Sequence, residues 1–485
     1  MKKVFFLIFL SWLLFFIATP PFHTPDETEH YENSFCLSRF IYPVQPENRN
    51  RPKLFINEFM DLYIPFDIKK IARSDLKNKT YTEDQIKKFE PITLQSYHPP
   101  LYFFLISFSH QVSNFFRLDL VSRFYLARIF SAFLYFGTVV FAYKTLKILI
   151  AKEYIISSIL LFFSLNPLVI KSAVGINPDT GMTLFSIVSL YLMMKWQKKK
   201  IITLKQTIVL SIIAGLATLS KFSGIFLTFI FPIYAYIKKR VSKELLFLCF
   251  TFYVVSLILL SPWFYLNMSR YGRLSPPAFS FAEYRELQPH GIIQAMTLSV
   301  FELRHTIMHF SGFLGPTNNI NPPKLFFLSY TIVISILALA GFLVLFQNIR
   351  KRKKFFWVTL HFSSLLLFLF VLGTYFKKQG FSWDLQGRYF IPGFFSLTIY
   401  IFIGVMKLLR QNAQTVSQIL FFTALGHFYY ILFFSLIPSY YRYGVLFRDF
   451  RLLYPIFGEL FVLAFLSHVI LVFSITRRLF NPASK

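Results

Sequence analysis

HPPLYFFLISFSHQVSNFF, residues 98 to 116, is apolar enough to be weighed as a membrane span, and the side of every later segment turns on its reading. His110, Gln111 and Ser113 interrupt the run. Counting it as a crossing would also put the basic clusters KWQKKK (195–200) and IRKRKK (349–354) outside. Lys and Arg near span ends favour the cytoplasmic side, so the segment reads as an interfacial helix within a long first exterior loop.

Outward from that stretch the chain is dominated by apolar runs of membrane-spanning length. Of 485 residues, 55% are hydrophobic, 20% aromatic and only 15% charged, with a mean hydropathy of +0.53. A soluble domain could not cover so much apolar surface. Runs at 4–19, 128–150, 155–171, 180–194, 204–219, 222–236, 245–261, 325–346, 355–374, 389–408, 416–437 and 453–475 predict about 12 helices crossing a core about 30 Å thick. The expected fold is an all-α polytopic membrane protein, one integral domain over 1–485, with large exterior loops at 20–127 and 262–324.

A cytoplasmic start at Lys2 and Lys3 puts YKTLKILIAKEY (143–154), KWQKKK, IKKRVSKE (237–244), IRKRKK, MKLLRQ (406–411) and TRRLFNPASK (476–485) all inside. The net charge of +29 is therefore mostly topological and does not call for nucleic acid. The start, MKKVFFLIFLSWLLFFIATPP, lacks a small-x-small cleavage pattern before Pro20 and reads as an uncleaved first span. Cys36 and Cys249 offer no metal spacing, and the chain has no Gly-rich nucleotide loop or nucleophile elbow.

Residues with unusual chemistry collect on the predicted exterior side. Thr24-Pro25-Asp26-Glu27 reads as a capping box, with Thr24 as N-cap, Pro25 first in the helix and Glu27 reaching back to the Thr24 N–H. Asp26 has no such job, and His30, four residues on, shares its helix face. His98 stands before two prolines, with Tyr102 one turn later, as a phosphate or sugar contact or as a plain helix entry. Asp179, after Asn177-Pro178, is a site residue or an N-cap. Lys221, in a tight turn, and Arg388, at a span mouth, are headgroup anchors or phosphate ligands.

Taken together, PDE (25–27), HPPLYF (98–103), RFYLARIFSA (123–132), NPD (177–179), GLATLSKFSG (215–224) and QGRYFIP (386–392) resemble the GT-C superfamily of membrane glycosyltransferases. That group includes protein O-mannosyltransferases and aminoarabinose transferases, and QGRYFIP is closest to a bacterial branch of it. The resemblance implies a GT-C-like fold in a bacterial plasma membrane, with both termini cytoplasmic and the active site exterior. It further implies transfer of a sugar from a polyprenyl-phosphate donor to a lipid, glycan or protein acceptor. Asp26 maps to the catalytic base, Glu27 and Asp179 to assistants, and His98, Lys221 and Arg388 to the phosphate site. His30, Tyr102, Gln386 and Tyr389 would support them.

A divalent cation, Mg or Mn, held by Asp26, Glu27 and Asp179 is left open. Two other readings compete: a polymerase or ligase using a lipid-diphosphate donor, and a transporter or flippase of a lipid-linked saccharide. The scarcity of charge inside the spans counts against coupled transport.

Overall fold

The structure is a computed structural model that describes residues 1–40, 98–272, 274, 291–309, 324–347, 353–378, 387–441 and 446–480, less residues 22, 23, 25, 198, 200, 240 and 241. Among them the regular structure is entirely helical. The first half comprises α1 (Lys2–Ala18), α2 (Glu27–Ser38), α3 (Leu101–Phe115), α4 (Leu120–Leu149), α5 (Glu153–Ser164), α6 (Pro167–Val174), α7 (Asp179–Trp196), α8 (Leu204–Ser220) and α9 (Phe226–Lys239). The second half follows with α10 (Lys243–Tyr271), α11 (Ile292–His309), α12 (Lys324–Gln347), α13 (Lys353–Lys378), α14 (Ile391–Leu408), α15 (Ala413–Ile431), α16 (Ile437–Tyr440), α17 (Leu446–Leu453) and α18 (Phe457–Phe480).

Each apolar run read from the sequence is helical. Among the described residues, seven helices are long and apolar enough to cross a membrane, or up to eight if α5 and α6, bent by 62° at their junction, count as one span. The bend has a local cause. Asn166 caps α6, its Oδ1 accepting from the N–H groups of Leu168 and Val169, and Pro167 cannot continue the α5 ladder. The remaining runs form shorter helices, α8 and α9 among them.

The segment that opened the reading, now α3, has 15 residues and spans about 22 Å, short of a hydrocarbon core about 30 Å thick. It packs on α2 and α4 with Tyr102, Phe103 and Ile106 buried, while Phe104 and Phe108 face outward. The predicted loop at 262–324 is less open than its sequence suggests. α10 runs on past Pro262 to Tyr271, and α11 occupies 292–309.

α14 forms the centre of the bundle, 94% of its span window being buried, whereas α10, α12 and α18 are only 28% buried and present apolar flanks outward. α14 meets α12 at a glycine crossing. A Cβ at Gly404 would lie 1.9 Å from the Leu337 carbonyl oxygen, and one at Gly341 equally close to that of Tyr400. Without a hydrophobic driving force between helices in lipid, such backbone contact is how small residues hold spans together. Arg388 and Tyr389 lie in the single turn just before α14, and both are buried.

Candidate active site

Asp26 directly precedes α2 with φ 58° and ψ 17°, in the left-handed region that aspartate tolerates better than most side chains. The capping box is only half formed. The Thr24 N–H donates to Glu27 Oε2 at 3.3 Å, but the helix begins at Glu27, and Asp26 rather than Thr24 takes the cap position.

The missing half is the Thr24 side chain, whose buried Oγ1 makes no hydrogen bond among the described residues, while Glu27 keeps its bond to the Thr24 N–H and takes a stronger partner besides. Arg128 grips its carboxylate with two bonds of 2.8 Å, from Nε to Oε1 and from Nη2 to Oε2, and both side chains are fully buried. Arg128 also donates to the carbonyls of Thr19 and Pro20, and the Ile176 N–H donates to Glu27 Oε1 at 3.0 Å. One buried ion pair therefore ties the end of α1, the start of α2, α4 and the 175–178 turn together. Glu27 is committed to this lock.

Asp26, freed of any capping bond, turns its carboxylate to Arg388 Nη2, the two forming an ion pair. Asp179 accepts from Lys221 Nζ at 2.6 Å through Oδ1, while its Oδ2 lies 3.9 Å from Arg388 Nε. Asp179 does not cap its own helix. Asn177 does that work, its Oδ1 accepting the Asp179 N–H at 3.0 Å. Lys221 caps neither neighbour with its side chain and lies over the Tyr389 ring at 3.9 Å from the centroid, with the Arg388 guanidinium 5.6 Å from the same ring. His30 and His98 stand beside one another, 5.5 Å between ring centroids, both against Phe103.

Asp26, Asp179, Lys221, Arg388 and Tyr389 thus form one cluster, with His30 and His98 close enough to feel its charge. Tyr102 backs the cluster: its hydroxyl donates to Ser131 at 2.9 Å, and its ring lies against Gly181 in the first turn of α7. Gln386 lies outside the described residues. Arg128, Asn177 and the buried Lys171 were not among the candidates. For Arg128 the signal was present, an arginine near the start of an apolar run, which is costly there unless paired.

Burial pushes the Asp26 carboxyl up, but the Arg388 guanidinium, helped by Lys221, holds it below the usual carboxylate value. Burial, reinforced by those cations, keeps His30 and His98 well below the usual imidazole value, hence neutral near pH 7. Burial also brings the Lys221 ammonium down to about 8, against the pull of Asp179. Asp26 is the accessible member, its side chain 32% exposed against 7% for Arg388 and 0% for Asp179.

Glu27 is bound to Arg128, Asp26 and Asp179 face cations, and among the described residues no group of three or more His, Cys, Asp or Glu is placed to hold an ion.

No curated protein matches the chain at the level of sequence. Among solved structures, ArnT from Cupriavidus metallidurans in the apo state is similar at 14% identity and a TM-score of 0.43, covering 98% of this chain and 77% of that one. The same protein bound to undecaprenyl phosphate is similar at 13% identity and a TM-score of 0.44, over 97% and 76%. Residues 9–397 match a family model described as Predicted membrane protein (DUF2142), and the chain belongs to that family.

Proposed function

We infer that the protein is a membrane glycosyltransferase of the GT-C type, moving a sugar from a polyprenyl-phosphate donor to an acceptor hydroxyl on the exterior face. The observation that carries this reading is the pairing of an accessible carboxylate, Asp26, with a buried guanidinium, Arg388, beside a second buried cation, Lys221. Sugar transfer needs a base for the acceptor proton and cations for the departing phosphate, and this cluster holds both.

The ion pair suggests how the site is switched on. With Arg388 bonded to Asp26, the carboxylate is a poor base. A donor phosphate is a better partner for the guanidinium fork, and on taking it would release Asp26. The burial that raises the Asp26 carboxyl is then less opposed, and its basicity rises. The acceptor hydroxyl loses its proton to Asp26 as its oxygen attacks the anomeric carbon. The bond from that carbon to the phosphate oxygen breaks, and Arg388 and Lys221 stabilise the charge left on the lipid phosphate. Two cations beside two neutral imidazoles suit a single phosphate better than a diphosphate. Asp179 orients Lys221 through its hydrogen bond and lies 3.9 Å from Arg388 Nε.

The test is sugar transfer from a polyprenyl-phosphate donor by the purified full chain. Asp26→Asn keeps a residue that tolerates the left-handed backbone, and loss of a general base costs about 10²- to 10⁴-fold in rate. Full activity of a folded Asp26→Asn protein would overturn the assignment. A transporter reading gains one observation, the bent α5–α6 pair with Lys171 buried on its second arm. Sugar movement across proteoliposomes without covalent transfer would favour it instead.

A further inference from the structure

α7 begins at the candidate site with Asp179 and ends, 18 residues and about 27 Å later, at a second polar feature. There the C-terminal ends of α4 and α7 and the start of α13 enclose a recess of about 520 Å³, whose lining includes Lys144, Lys147, Lys195, Lys354, Tyr191 and Met194. The four lysines are exposed. Three lie along aromatic rings, Lys144 4.8 Å from the Phe141 centroid, Lys147 5.5 Å from Tyr143 and Lys195 5.8 Å from Tyr191, so their stems are held in place. Lys354 reaches across to the Ile148 carbonyl at 3.1 Å. Glu153 lies 3.5 Å from Lys147, with both side chains about half exposed.

Helix dipoles account for Lys147 and Lys195, each in the last turn of its helix, but not for Lys144, which precedes the last turn of α4, nor for Lys354, which stands at a helix start where a cation is unfavourable. Four ammonium groups around one recess repel one another, and an anion seated among them would relieve that repulsion. The lining is mixed, with Ile148, Tyr191 and Met194 beside the lysines, and the recess lies about 27 Å along α7 from the candidate site, close to a hydrocarbon thickness of about 30 Å. We propose that this recess binds the phosphate headgroup of an anionic membrane phospholipid, with Tyr191 and Met194 against its glycerol and the upper acyl chain. Basic pockets between spans are a recurrent means of holding such headgroups, and each lysine near the surface is worth about fivefold in affinity.

Native mass spectrometry of the full chain, released from vesicles of equal parts diphosphatidylglycerol and phosphatidylcholine, tests this. The wild type is expected to retain diphosphatidylglycerol at least about tenfold over phosphatidylcholine, and K144Q/K195Q/K354Q to lose that preference. Equal retention of the two lipids by the wild type overturns the proposal without reference to any variant. A folded triple variant that keeps the full preference overturns it as well. Should the triple variant not fold, K354Q alone is expected to lower the preference by about fivefold, and an unchanged preference contradicts the proposal. Displacement of the bound lipid by millimolar inorganic phosphate would make the recess a site for the free anion and refute the lipid assignment.

Discussion

Asp26 and Arg388 meet across 362 positions of sequence, and the chemistry argued for the site rests on that pair and on Lys221 beside it. The lysine makes a distinct pH prediction. With its ammonium down at about 8, the charge that would hold a lipid phosphate is lost as pH rises through that value, well before an ordinary lysine would titrate. Donor KM should therefore climb above about pH 8 while remaining flat below it, and Lys221→Arg, charged throughout, should push the rise to higher pH. A KM that stays flat to pH 10 in the wild type would remove Lys221 from the phosphate site. His30 and His98, held neutral by burial, are not expected to bring a transition of their own between pH 6.5 and 8.

Helix ends aim these side chains, and the Arg128–Glu27 lock fixes the ends. Removing one member of a fully buried, bidentate pair strands the other charge, which costs about 3–5 kcal/mol. Arg128→Met should therefore lower the thermal unfolding midpoint sharply, and the double variant Arg128→Met with Glu27→Gln should recover a large part of the loss. Equal midpoints for the single and double variants would show that the pair is not the lock. This element also marks where the sequence ran out. TPDE reads locally as a capping box because Thr, Pro and Glu fit one, and Glu27 does accept the Thr24 N–H, but its stronger partner sits 101 residues away on α4. The same limit explains Asp179. Its N-cap reading ignored Asn177, whose side chain does the capping and leaves the carboxylate free for Lys221. Spacing shows what a residue can do nearby, but not the stronger partner that a distant helix adds.

For the whole molecule, hydropathy carried most of the architecture, because lipid forces backbone polar groups into helices and leaves long apolar runs as the readable trace. The bend between α5 and α6 and the helix inside 262–324 were illegible, since they follow from capping and packing rather than from composition. Threading by basic clusters makes a prediction about sides. In a chain with Cys36 and Cys249 replaced, cysteine at Phe116, exposed at the end of α3, should react with an impermeant thiol reagent on intact cells. Cysteine at Lys195, at the far end of α7, should react only after permeabilisation. The reverse pattern would place the candidate site on the cytoplasmic face and remove the exterior donor. The central claim is the exchange of Asp26 for a lipid phosphate on Arg388, and a structure of the full chain with a polyprenyl-phosphate analogue tests it most directly. The phosphate is expected within hydrogen-bond reach of the Arg388 guanidinium and Lys221 Nζ, with Asp26 turned away from Arg388 toward the same cavity. A phosphate bound elsewhere, with the Asp26–Arg388 pair intact, would contradict the account.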